Sequence, residues 1–236
     1  MFRLGAHAPR LLYHIYLYNT SIDTDAASCY YKDIEKQPGG YMKLTATKNN
    51  IRVTIEQDEL SGNPYAEWDQ LSTIYHVHPK YDLGTCFGDA EALEAALPDQ
   101  RVLFPLYKYD HSGITLSTEP FSCPWDSGQV GYIFVSKETI EREYGEFSQE
   151  TIDKAKRCIK AELDTFNDYL AGNVWGYTIE SIEQCGECGH ERAIEIDSCG
   201  GFYGGYIKSG ILDHINAFTS DDRPDKNTIF TENDFS

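Results

Sequence analysis

Residues 41–56 read YMKLTATKNNIRVTIE. Met42, Leu44 and Ala46 alternate with polar neighbours as far as Asn49-Asn50, and Ile51, Val53 and Ile55 alternate beyond it. A period of two on either side of a two-residue turn spells a β-hairpin with one dry face. Residues 102–109 and 113–117, parted by Asp110-His111-Ser112, repeat the pattern, and residues 130–136 add a further strand. Connections this short require antiparallel pairing, because a parallel crossover needs about a dozen residues or more. Helical patterns interrupt the strands. Residues 88–97 (GDAEALEAAL) are rich in Ala, Leu and Glu and stop at Pro98. In residues 149–170, Ile152, Ala155, Ile159, Leu163, Phe166 and Leu170 step by three or four, drawing one apolar stripe along a helix. Ser148 is placed to cap its start and Gly172-Asn173 to end it. Residues 174–184 and 191–198 predict another hairpin, residues 206–218 a short helix, and residues 219–236 a flexible acidic tail. This order of elements predicts an α+β fold, a mostly antiparallel sheet with helices packed on one face, with residues 1–218 as a single domain.

Charge narrows the partners. The 236 residues include 38 Asp and Glu against 20 Lys and Arg, a formal charge of −18. Nucleic-acid binders gain affinity by replacing counterions with Lys and Arg, so this balance argues against direct nucleic-acid binding. A hydrophobic fraction of 41% excludes a wholly disordered acidic chain. No apolar run approaches the roughly 20 residues of a membrane helix, and the first 21 residues lack the long aliphatic centre of a signal peptide. A cytoplasmic protein is expected, with its seven cysteines reduced or metal-bound. The acidic excess is steepest over residues 51–100, where ten carboxylates face two basic residues. Asp58, Glu59, Glu67, Asp69 and Asp82 lie in this window as candidate binding residues, either as one negative face or as scattered solvated charges.

Reactive side chains are densest over residues 109–131. A cysteine nucleophile needs a base such as histidine in hydrogen-bond reach and an acid to orient that base. Cys123, Asp126 and His111 are the candidate catalytic set, with Gln129 beside them and His76 or His78 as alternative bases. A hairpin over 102–118 would set His111 about 20 Å from the far end of its strand, so Cys123 reaches it only if residues 119–129 fold back. The plainer alternative is a structured loop in which Trp125 plugs the core and Asp126 caps backbone amides. In that case Asp126 and Gln129 hold the loop in shape, and a loop so held can also line a pocket, which makes Trp125 and Gln129 candidate binding residues.

Cys185-Gly-Glu-Cys188-Gly-His190 resembles half a zinc knuckle. His190 and Cys199 would complete four ligands on paper, yet an extended strand parts them by about 30 Å. No cofactor is expected, with zinc at Cys185, Cys188 and His190 the one exception considered. Gly200-Gly201-Phe202-Tyr203-Gly204-Gly205 lacks the spacing of a phosphate-binding loop.

Residues 63–84, residues 106–131 (with YDHSGIT and SCPWDSGQVG) and residues 197–204 (DSCGGFYG) resemble a group of uncharacterised proteins of bacteriophages and other mobile elements. The likeness covers most of residues 51–205. Between Cys199 and Gly201 the pattern calls for a bulky aromatic where this chain has Gly200. The resemblance implies a mobile-element accessory protein acting in a bacterial cytoplasm and supplies no catalytic assignment.

The leading expectation is an acidic accessory protein that binds a host protein with a basic surface, as an anti-defence inhibitor (antirestriction or anti-CRISPR-like) mimicking nucleic acid. A cysteine-dependent hydrolase or transferase centred on Cys123 is the second. A nucleotide-signal sponge using Arg101 or Lys108 is the third. No membrane partner is expected.

Overall fold

The computed structural model describes residues 42–220 and 228–235. The expected single domain therefore loses its first 41 residues from view, and the reading of the N-terminus lies outside the described residues. The fold is α+β, with two sheets in place of the one expected. The first holds β1 (Lys43–Lys48), β2 (Ile51–Gln57), β8 (Val174–Gln184) and β9 (Glu191–Tyr203) in that order, all antiparallel. The second runs β4 (Thr85–Cys86), β3 (Thr73–His76), β7 (Ser127–Ser136), β5 (Arg101–Asp110), β6 (Ile114–Ser117), with β3 and β4 parallel and the rest antiparallel. Helices α1 (Pro64–Glu67), α2 (Ala90–Ala96), α3 (Lys137–Tyr144), α4 (Gln149–Leu170) and α5 (Ile211–Thr219) complete it.

The first hairpin forms where its alternation demands. Lys48 pairs with Ile51, leaving Asn49 and Asn50 as a two-residue loop with φ of 48° and 60°. Asparagine tolerates that left-handed conformation, which matches the twist of the flanking strands. Ile51, Val53 and Ile55 then face Trp175, Tyr177 and Ile179 on one side of the sheet, covered by Ile211 and Ile215 of α5 and by Phe230. The hydroxyl of buried Tyr177 donates to Asp197 at 2.7 Å and lies 2.9 Å from His214 Nδ1, tying α5 to the sheet.

The stripe of α4 packs on the second sheet. Ala155, Ile159, Leu163 and Phe166 are buried against Ile74, Leu106, Leu116 and Ile133, with Ile152 and Leu170 half-buried at its ends. Ser148 and Thr151 form a reciprocal capping box that starts the helix. Glu162, on the same helix, accepts the amides of Leu71 at 2.6 Å and Ser72 at 2.9 Å and the Ser72 hydroxyl at 2.5 Å. This carboxylate fixes the turn that leads from α1 into β3. Beside it, burial pushes the Cys158 thiol up to about 12, with the Glu162 charge adding to the effect.

The expected flexible tail is packed over residues 228–235; residues 221–227 lie outside the described residues. Phe230 is 1% exposed, and its amide donates to Asn216 Oδ1 at 2.8 Å. Asp234 accepts from Lys48 Nζ at 2.6 Å and from the amide and hydroxyl of Thr231, and these bonds, Lys48 first, lower its carboxyl from 3.8 to about 2. A carboxylate whose folded value is depressed stabilises the fold fully above its unfolded value and loses that contribution as pH falls through the folded one. Hydrogen-exchange protection of the Phe230 amide is therefore expected to fall as pH drops from about 4 towards 2. In Asp234→Asn it should already be low at pH 5. Equal protection in both chains at pH 5 would show that this ion pair does not hold the segment.

Candidate functional site: an acidic segment braced on a strand end

Residues 58–69 connect β2 to the turn after α1 and carry four carboxylates and no Lys or Arg. Three contacts brace them against the end of β9. Asp58 Oδ2 accepts the Gly201 amide at 2.8 Å, the Tyr203 hydroxyl donates to the Gly62 carbonyl at 3.1 Å, and the Trp68 and Tyr203 rings meet edge-on at 4.8 Å. Asp58 Oδ1 also accepts the Leu60 amide at 3.0 Å. Asp58 is thus a brace within the protein, which corrects its expected place on an open binding face. The glycine at position 200 has a physical reason: a Cβ there would come 2.4 Å from Asp58 Oδ2. The bulky residue of the resembling pattern would displace the brace.

The braced segment presents Glu59, Glu67 and Asp69 to solvent with two large apolar side chains among them. Leu60 is 96% exposed and Trp68 47%. Local sequence explains the turn that displays Trp68. Asn63 caps α1 through its side chain at Tyr65 N, Pro64 sits at the first helical position, and the helix ends after one turn at Trp68. Asp69 and Asp82 line a recess of about 440 Å³ with Asn63, Trp68, Gln70 and Thr85. Asp58 and Glu59 line a separate one of about 610 Å³ with Met42, Leu60, Tyr177 and Cys199. Four of the five acidic candidates therefore divide between two recesses, and Glu67 lines neither.

The loop around Cys123 does fold back towards the β5–β6 turn. Tyr109 pairs with Ser127, Asp110 N donates to Asp126 O at 2.9 Å, and the Ser127 hydroxyl donates to the Cys123 carbonyl. The half-buried Cys123 thiol donates to Asp126 Oδ2 at 3.8 Å, and the same oxygen is 3.5 Å from His111 Nδ1. All three candidates meet, but in the order thiol, carboxylate, imidazole. A nucleophile needs the imidazole next to it and the carboxylate behind. Nor, among the described residues, does Asp126 cap backbone amides as expected; its carboxylate faces the thiol and the exposed imidazole. Trp125 is 90% exposed among the described residues, which reverses the expectation that it plugs the core, while Gln129 is exposed and donates to Gly131 O at 3.3 Å.

His76 is 1% exposed with neither ring nitrogen hydrogen-bonded among the described residues. His78 stacks on Tyr81 at 4.9 Å, and burial, with Lys108 adding, holds its imidazole below its usual range. Lys108 donates to Asp110 at 3.0 Å, and Arg101 donates to the carbonyls of Pro98 and Asp99. These two cations stand seven strand residues apart, about 23 Å, and frame no common anion site.

Cys185, Cys188 and His190 occupy the exposed tip of the β8–β9 hairpin, while Cys199 pairs with Tyr177 far down the strand. The four-ligand arrangement with Cys199 is ruled out by that separation. Among the described residues no three His, Cys, Asp or Glu side chains converge to hold a metal ion. No helix among them is long and apolar enough to cross a membrane. Comparison with protein-family models, with curated proteins and with solved structures returned no match, so the functional reading rests on this geometry.

Proposed function

We propose that the protein is a binding protein without catalysis, which docks residues 58–69 on a basic surface of a bacterial host protein. The observation that carries this reading is the display of Leu60 and Trp68 among Glu59, Glu67 and Asp69 on a segment held in one shape by β9. Interface energy concentrates in a few apolar anchors, tryptophan foremost, while surrounding charges steer the encounter and select the partner. Bracing before binding lowers the ordering cost. The net charge of −18 favours a positive partner and opposes a nucleic acid. The resemblance to phage and mobile-element proteins supports a role in a bacterial cytoplasm, as an accessory factor that blocks a nucleic-acid-handling host protein by occupying its basic groove.

Capture from bacterial lysate, identification of the bound protein and measurement of its affinity test this proposal. The partner is expected to carry a basic groove, to be competed by duplex DNA and to bind at least tenfold more weakly as salt rises from about 50 to 300 mM. Leu60→Ala with Trp68→Ala should weaken binding about 100-fold, close to 3 kcal/mol. A partner bound equally well by that double variant and by Glu59→Lys with Asp69→Lys would overturn the proposal.

A further inference from the structure

The β8–β9 hairpin outruns its sheet. β2 pairs with β8 only from Trp175 to Ser181, so beyond Ile182 the two strands have no backbone partner but each other among the described residues, with Arg52 of β2 reaching Glu191 through its side chain. The tip closes through Cys185 N to His190 O at 2.9 Å and Gly189 N to Cys185 O at 2.9 Å, with Gly189 at φ 67°. Glycine adopts that left-handed conformation without strain, so the chain turns immediately after the second cysteine. Both thiols are exposed. A metal binds the thiolate form, and both sulfurs stand where an ion from solvent can reach them and displace their protons.

A soft divalent cation takes four such ligands in a tetrahedron. One tip supplies two, and no third ligand group converges there among the described residues. Among the described residues the tip projects beyond the sheet and is exposed, so another like it can reach it. We propose that Cys185 and Cys188 form half of a tetrathiolate site for a divalent cation of the zinc class, completed by the same pair from a second copy of the chain. Each bound ion displaces the thiol protons to solvent and links two hairpin tips end to end. Two copies of charge −18 repel one another, so the metal-linked pair tightens as salt rises. That dependence is opposite to the one expected for the basic partner, and the two proposals fail independently.

Cobalt(II) serves as the spectroscopic probe and zinc as the assembly probe, with the full chain kept reduced. Cobalt titration is expected to give tetrahedral thiolate absorption saturating at one ion per two chains. Light scattering with zinc should show a doubled mass that chelator reverses. Cys185→Ser with Cys188→Ser should lose both signals and keep its thermal unfolding midpoint, and His190→Ala should keep both signals. One ion per chain at monomer mass, loss of the signals in His190→Ala, or no thiolate absorption would overturn the proposal.

Discussion

Phe166→Ala is expected to lower the free energy of unfolding by about 3–5 kcal/mol. Phe166 is fully buried midway between α4 and the second sheet, its ring 4.9 Å from Tyr65 and stacked on Tyr169 at 6.1 Å. Truncation removes the transfer energy of the ring and opens a cavity that two packed neighbours cannot close. Because Tyr65 belongs to α1, the loss also loosens the turn that displays Trp68. Denaturant unfolding should show a lower midpoint with an unchanged slope. Lys156→Ala, on the solvent side of the same helix, should stay within about 0.5 kcal/mol. A loss below about 1 kcal/mol for Phe166→Ala would mean that the α4 stripe does not build the core.

Glu162→Ala carries the second large effect, about 3 kcal/mol. Its carboxylate accepts three hydrogen bonds from Leu71 and Ser72, and Ser72 is 4% exposed. Removing the acceptor strands buried donors, each costing about 1–3 kcal/mol, with some recovered by relaxation of the turn. Glu162→Gln keeps one acceptor oxygen and should lose about half as much. Equal losses for the two variants would show that packing of the stem, not hydrogen bonding, anchors the turn. Both variants act on the support of residues 58–69 and should weaken partner binding only as far as that segment loses its shape.

The local parts of the fold were legible where the chain repeats itself. The α4 helix of 22 residues spans about six turns and its bounds fall where Ser148 and Gly172 place them, and the Asn49-Asn50 hairpin follows from its alternation. Short elements escaped. β3 is four residues long, and the one-turn α1 lies hidden in a polar stretch. β7 begins three residues before its expected start, and β9 runs on through Gly200 and Gly201 to Tyr203, where glycine lowers the strand signal. Strand alternation marks a dry face without saying which partner supplies it, so two sheets looked like one. At the site, the acidic excess was visible, but its shape depends on Asp58 meeting Gly201, 143 residues away. Around Cys123 the composition named three residues that do meet. That Asp126 stands between the thiol and the imidazole depends on how residues 119–127 fold back, which composition does not encode.

The central claim, that residues 58–69 form the docking surface, is tested most directly by amide hydrogen exchange of the chain with and without its captured partner. Binding is expected to slow exchange over residues 58–69 and over the β9 end at Gly201 and Tyr203 that braces them. Protection confined to other surfaces, such as residues 118–127 carrying Trp125, with residues 58–69 unchanged, would contradict it.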